Sequence, residues 1–368
     1  MEDVEGIIKQ QIRQSGPIDI GTFMSLALGH PKFGYYITRD PIGAQGDFTT
    51  SPEISQCFGE MLTVCMVEAW IRGGKPDVHL VELGPGRGTL MADFLKSCKN
   101  APDFFERMDI HLVETSPVLR AAQKAKLAGY TPYWHDTIDT LPADGPLLIL
   151  ANEFFDALPI RQAVMTLDGW REKVVGLSES GTLQFGIAQG GPSFRKNAGD
   201  AWLATLPAAP EGTIMEVSPV RDAVMRSLCA RLQKQGGLMI VIDYGHAVPG
   251  AAGDTFQAVR KHKYVSPLED VGHADLTSHV DFARLDAIAS EAGCAVHGPV
   301  SQKSFLEAMG IHTRLKNLQA QNPSDETLAP GVTRLIDPQG MGQLFKVMAV
   351  SAQVSFCRFS PAGFQTPS

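Results

Sequence analysis

The residues best suited to chemistry lie between positions 80 and 90. The run Leu80-Val81-Glu82-Leu83-Gly84-Pro85-Gly86-Arg87-Gly88-Thr89-Leu90 sets a carboxylate two residues ahead of three closely spaced glycines. Apolar residues Val78, Leu80, Val81 and Leu83 lead into the loop, and Thr89 to Leu95 has the apolar spacing of a helix. Strand, glycine loop and helix is how an α/β protein brings backbone against an adenosine-bearing cofactor. A dinucleotide fingerprint would put its third glycine at position 89, but Thr89 stands there and the third glycine is Gly88. Glu82 would repel a pyrophosphate and attract a cation. S-adenosylmethionine (SAM) carries an ammonium and a sulfonium and no phosphate, so these residues favour SAM over NAD. Gly84, Gly86 and Gly88 would admit close backbone approach, and Glu82 would hold the methionine ammonium, directly or through water. A glycine turn of purely structural use is the alternative.

Further polar residues fall at expected strand ends. Met108 to Glu114 reads as the next strand, and Glu114 follows Gly88 by 114 − 88 = 26 residues. Nucleotide-binding units place an acid about 20 residues on, where it accepts from ribose hydroxyls; Glu114 fits after a slightly long helix. Tyr133-Trp134-His135-Asp136 closes a third segment, with Asp136 placed to accept from an adenine amino group. Pro146 to Ala151 is an apolar run suited to a strand buried on both faces. It ends in Asn152-Glu153-Phe154-Phe155-Asp156-Ala157-Leu158-Pro159. Open α/β sheets keep their chemistry at the carboxyl ends of strands, so Asn152, Glu153 and Asp156 are read as facing cofactor and substrate. A helix N-cap at Asn152 with a first-turn acid is the alternative. Leu238 to Ile242 is another buried strand, ending in Asp243-Tyr244-Gly245-His246.

The elements that must position these residues can be laid out along the chain. Its 368 residues exceed one typical domain. Residues 1–75 are expected to hold N-terminal helices and a cofactor-covering loop, with a break at Ser15-Gly16-Pro17 and a cap at Asp19. That loop, 29–52, is polar and rich in small residues, and brings Thr50 and Ser51 to the cofactor. Residues 76–160 alternate strand and helix and form the SAM-binding α/β core, with a mostly parallel sheet. Residues 161–235 form an inserted β-hairpin and helical lobe, signalled by the Asp168-Gly169 turn. Residues 236–368 return to the core, with substrate loops in the polar stretch 247–281.

Composition excludes several classes. A formal net charge of −8 argues against nucleic acid as the main partner, since phosphate binding needs a basic face. The 44% hydrophobic and 20% charged residues are ordinary for a globular enzyme. The 6 cysteines include no Cys-x-x-Cys pair, and His262, His273 and His279 lack metal-site spacing, so no metal is expected. No apolar run approaches the roughly 20 residues of a membrane span. The acidic start, Met1-Glu2-Asp3-Val4-Glu5, resembles neither a secretory signal nor a transit peptide, and a cytoplasmic bacterial protein is expected.

Taken together, the motifs resemble the SAM-dependent methyltransferase superfamily and, more narrowly, the MidA family. The resemblance covers most of the chain. It rests on Gly29-His30-Pro31 with Gly34-Tyr35-Tyr36, on Gly46-Asp47-Phe48-Thr49-Thr50-Ser51-Pro52-Glu53, and on Val81 to Leu90. It continues through Ala151 to Pro159, Asp243-Tyr244-Gly245 and Ala274-Asp275-Leu276-Thr277-Ser278-His279-Val280-Asp281-Phe282. It implies a Rossmann-like, seven-stranded sheet with an added substrate lobe. The family's mitochondrial members are protein-arginine methyltransferases needed for respiratory complex I assembly. The implied partner is an arginine-bearing protein, such as a respiratory NADH dehydrogenase subunit, and an oligomer is compatible with it. One departure stands out: Asp254-Thr255-Phe256-Gln257 occupies the place of the family's usual Gly-Thr-Leu-Arg.

Methyl transfer is an in-line displacement in which the enzyme positions the nucleophile and stabilises charge. Carboxylates should grip an arginine guanidinium in bidentate fashion. Glu153 and Asp156 are the first candidates, with Asp243 and Tyr244 second. A non-catalytic SAM-binding assembly factor, a small-molecule methyltransferase and a dinucleotide-dependent oxidoreductase are the competing readings.

Overall fold

The computed structural model describes residues 3–43, 46–188, 198–352 and 360–364. Cys357 and most of the Gly/Pro-rich start of the expected 190–212 loop lie outside the described residues. The chain divides into two compact units: Met1–Arg39 with Ala157–Arg221 and Pro249–Ser278, and Asp40–Asp156 with Asp222–Val248 and His279–Ser368.

The second unit is built on the apolar runs. Its main strands are β1 (Val78–Leu83), β2 (Met108–Val113), β3 (Tyr133–His135), β4 (Leu147–Asn152), β5 (Gly237–His246), β6 (Cys294–Ser301) and β7 (Phe345–Ala352). Their order in the sheet is β3-β2-β1-β4-β5-β7-β6. The first five run parallel, and β7 is antiparallel to both its neighbours. The two-residue strand Val280–Asp281, pairing parallel with the end of β5, makes the sheet eight-stranded where seven were expected. Every residue of β4 is buried, as a central strand covered on both faces requires. The chain builds outward from β1 to β3, then returns to β4 on the other side. That reversal makes the crevice outside β1 and β4 the place where open α/β sheets bind ligands. Helices α1 (Gln56–Arg72), α2 (Thr89–Cys98), α3 (Pro117–Lys126) and α4 (Pro219–Gln235) connect these strands or precede them. Phe58, Leu62, Phe94, Leu95, Leu80 and Leu150 join one buried apolar cluster between helices and sheet.

Strand alternation assigns faces. Glu82 on β1 and Asn152 on β4 have the parity that shares one face, because Leu83 pairs with Ala151. His79, His111 and His135 have the opposite parity. They form a hydrogen-bonded row, with His79 Nδ1 3.2 Å from His111 Nε2 and His111 Nδ1 3.0 Å from His135 Nε2.

The first unit carries helices at Val4–Ser15 and Ile20–Gly29, broken at Gly16, with Asp19 accepting from the Thr22 N–H at 2.9 Å. Its larger sheet is antiparallel: Gly169–Leu177 pairs with Arg161–Thr166, Ile18–Asp19 and Leu183–Ile187, and Arg161–Thr166 also pairs with Ile214–Val217. The hairpin turns at Leu167-Asp168, where Thr166 faces Gly169. The stretch read as substrate loops holds a three-stranded antiparallel sheet of Gln257–Arg260, Lys263–Val265 and Asp275–Thr277. Three- and four-residue strands are too short to show alternation above their glycine-rich surroundings.

Candidate active site

The glycine loop follows β1 as expected. Gly84, Gly86 and Gly88 all have positive φ (63°, 53° and 80°), a region that penalises a Cβ. At Gly86 a Cβ would also lie 2.5 Å from Ile42 Cδ1, so Ile42 packs directly on the loop. Arg87 is tied back to Asp40 by an ion pair of 2.7 Å. The Thr89 hydroxyl, at the start of α2, donates to Glu53 Oε1.

Glu82 Oε2 and Asn152 Oδ1 are among the buried side-chain polar atoms of this unit that have no protein partner. Glu82 is 3% exposed, and its Oε2 accepts nothing. Burial first, then the nearby Glu114 charge, push its carboxyl up to about 8, against a bond from the Met91 backbone. Asn152 is buried on the adjacent strand with its Oδ1 unsatisfied, while its Nδ2 donates to Glu153 Oε1 at 3.3 Å. A buried carboxylate oxygen and a buried amide oxygen, both without donors, fit a ligand that brings an ammonium.

Glu114 directly follows β2. Its Oε1 accepts from the Ser116 N–H at 2.8 Å, and burial raises its carboxyl above the ordinary range, against these hydrogen bonds. Asp136 follows β3; its side chain is 77% exposed and paired with Arg120 at 2.7 Å. Trp134 is half-buried.

At the end of β4 no helix begins, so Asn152 is not an N-cap. Glu153 instead adopts φ +50°, a left-handed backbone rare outside glycine. Its N–H donates to Ile242 O at 2.9 Å, and its Oε1 accepts from the Ser51 N–H at 3.1 Å. Ser51 is fully buried, and Thr50 precedes it at the start of the short Ser51–Ile54 helix. Thus Thr50, Ser51, Asn152 and Glu153 come together.

Asp243 lies within β5 rather than beyond its end, because the strand extends to His246. It is fully buried; Oδ2 accepts from the Phe155 and Asp156 N–H groups, each at 3.1 Å, and Oδ1 from that of Tyr244 at 3.0 Å. Its carboxylate therefore holds the turn that carries Glu153 and Asp156. Asp156 itself is 5% exposed, and Tyr244 packs edge-on against His279 and Phe345. Gln123, Ile42 and Glu53 also reach these segments; no local pattern in the sequence marks Gln123.

Residues 61–300 match the model of a family described as "putative S-adenosyl-L-methionine-dependent methyltransferase". The chain belongs to this methyltransferase family. Among its relatives is a zebrafish (Danio rerio) protein named protein arginine methyltransferase NDUFAF7, mitochondrial. That protein is 35% identical over 93% of this chain and 85% of its own. The human protein of that name is 36% identical over 92% of this chain and 81% of its own. A Burkholderia thailandensis structure bound to S-adenosyl-homocysteine superposes with a TM-score of 0.82 and 26% identity, covering 99% of this chain and 92% of that one. The MidA resemblance and the Rossmann-like sheet therefore hold, and SAM is the methyltransferase's cofactor. The expected cytoplasmic location does not stand, because these curated relatives are mitochondrial proteins. No described helix is long and apolar enough to cross a membrane.

Proposed function

We propose that this methyltransferase modifies arginine side chains of a protein, with Glu153 as the residue that orients the guanidinium. The observation that carries the proposal is the backbone of Glu153. A non-glycine residue held at φ +50° costs energy, and such strain collects at functional sites. Here it projects a carboxylate at the switch point of the sheet, anchored by the Ser51 N–H. The names of the curated relatives support arginine as acceptor. The sequence resemblance adds a respiratory NADH dehydrogenase subunit as a candidate acceptor.

In this reading Glu82 and Asn152 hold the methionine end of SAM, the glycine loop with Thr50 and Ser51 admits it closely, Glu114 accepts from the ribose and Asp136 from the adenine. When bound, SAM supplies an electrophilic sulfonium methyl. Glu153 and Asp156 draw the guanidinium charge toward the nitrogens facing them and leave the attacking nitrogen its lone pair. Asp243 positions both by fixing their turn, and Tyr244 packs beside it. The test uses tritiated SAM, arginine-bearing peptides and amino-acid analysis of the hydrolysed product. Label should appear as methylarginine and fall about 100-fold or more in Glu153→Gln with SAM binding retained. Label on another residue type, or an unchanged rate in the variant, would overturn the assignment.

A further inference from the structure

One fully buried side chain joins three segments around the proposed cofactor pocket. Gln123 projects from α3 and has no exposed surface. Its Nε2 donates to the Gly86 carbonyl at 2.7 Å and to Glu114 Oε2 at 3.3 Å, and its Oε1 accepts from the Trp134 indole N–H at 2.8 Å. Only one amide orientation satisfies these partners. An indole N–H can only donate, and a carbonyl or an ionised carboxylate can only accept. The three partners sit in the loop after β1, just after β2, and on β3. Gly88 lies against the amide's stem, where a Cβ would sit 3.4 Å from Gln123 Cγ.

We propose that Gln123 is a positioning residue for the adenosyl group, fixing the glycine loop through the Gly86 carbonyl and aiming the Glu114 carboxylate at the ribose hydroxyls. The proposal rests on the SAM assignment of Glu114 and the glycine loop made above. Glu114 is held from two directions, Oε1 by the Ser116 N–H and Oε2 by Gln123. With about four lone-pair sites on a carboxylate, these bonds and that of the Thr115 backbone leave room for a ribose hydroxyl. Without the amide, Oε2 loses its donor, the Gly86 carbonyl loses its brace and the Trp134 N–H is left facing an apolar gap. A glutamate at 123 would set a second carboxyl against Glu114 and the Gly86 carbonyl. Gln123 does not face the reacting atoms, so its effect falls on affinity for the adenosyl end and not on turnover at saturation.

The test compares Gln123→Met, Gln123→Glu and Trp134→Phe. Titration calorimetry measures S-adenosylhomocysteine and an analogue lacking the ribose 2′- and 3′-hydroxyls. A nitrogen-proton spectrum of the ligand-free protein follows the Trp134 indole signal. Gln123→Met should weaken S-adenosylhomocysteine about 10- to 100-fold, but the analogue by less than about threefold against its own wild-type value. KM for SAM should rise with kcat within about threefold, and the Trp134 signal should move upfield as its hydrogen bond is lost. Gln123→Glu should weaken binding at least as much, and Trp134→Phe, which keeps both donors of the amide, by about threefold. Should the methionine variant fail to fold, the other two carry the same comparison. Unchanged S-adenosylhomocysteine binding would overturn the role of Gln123, and equal losses for it and the analogue would overturn the aiming of Glu114 at the ribose. If Glu114→Ala and Glu82→Ala also bind normally, the underlying site assignment is the one that fails.

Discussion

Replacing Glu82 by glutamine removes an ionisable group that the fold buries, and the consequence depends on pH in a calculable way. The carboxyl is 3% exposed and raised from 4.5 to about 8. Its folded pKa lies above its unfolded one, so the stability it contributes is complete below about 4.5 and is lost as pH rises through about 8. At about 1.4 kcal/mol per unit, 3.5 units correspond to about 5 kcal/mol between those limits. Glutamine is nearly isosteric and never ionises. The ligand-free variant should therefore gain on the wild type as pH rises, from almost no difference near pH 4.5 to several kcal/mol near pH 8. Other groups at least half-buried also titrate in this range. His111 is lowered to about 4 by burial and by His79 and His135, and Asp93 is raised to about 6. His111 makes stability fall as pH drops from 6.5 toward 4, but both contributions cancel in the difference between wild type and variant. Urea unfolding followed by circular dichroism at pH 5 to 9 provides the assay. S-adenosylhomocysteine, whose ammonium would favour the ionised carboxylate, should narrow the gap, and the variant should bind it poorly. A gap that does not change with pH would refute the reasoning, because it would mean Glu82 ionises as easily folded as unfolded.

Three further outcomes follow from single contacts. Gly86→Ala should leave the protein folded but weaken S-adenosylhomocysteine at least tenfold in calorimetry, since a left-handed backbone costs an alanine about 1–2 kcal/mol and its Cβ would displace Ile42. Asp243→Asn replaces a carboxylate that accepts from three backbone N–H groups by an amide with one acceptor oxygen. It should cost about 2–3 kcal/mol in chemical unfolding and reduce methyl transfer through the displaced Glu153 turn; unchanged stability would remove its positioning role. Asp254→Ala cuts contacts of 2.8 Å each to Gln162 and Lys173 within the antiparallel lobe. Thermal unfolding should register no more than about 1 kcal/mol, with S-adenosylhomocysteine binding unaltered, because the carboxylate is partly exposed and Glu216 still holds Gln162 and Thr255.

Asp254 opens the stretch that departs from the family pattern, and its contacts lie within the lobe. The residue faces Gln162 and Lys173 of the hairpin, 92 and 81 positions away, so its task in the lobe could not be read from its neighbours in the chain. The short strands around it escaped notice for a related reason: their partners, not their own alternation, make them strands.

What the sequence determined by itself was local. Three glycines at spacing two can only be a turn with unusual backbone angles, and all three have positive φ. An all-apolar run such as Leu147 to Ala151 suits a strand covered on both faces, and it became the central one. Glu82 ahead of the glycines pointed to a cation before any geometry was known. Tertiary structure decided the long-range contacts. The Ser51 N–H meets Glu153 across 102 residues, Asp243 braces the Phe155–Asp156 turn across 88, and Gln123 reaches the Gly86 carbonyl across 37. Asp243 was expected at a strand end and proved to be a buried brace within one, because the ladder to β7 carries β5 on through Tyr244. Backbone conformation and burial on two faces are properties of a few consecutive residues, so composition and spacing reveal them. Which donor meets which buried acceptor depends on how strands and helices from distant parts of the chain are packed, and no window of the sequence holds both partners.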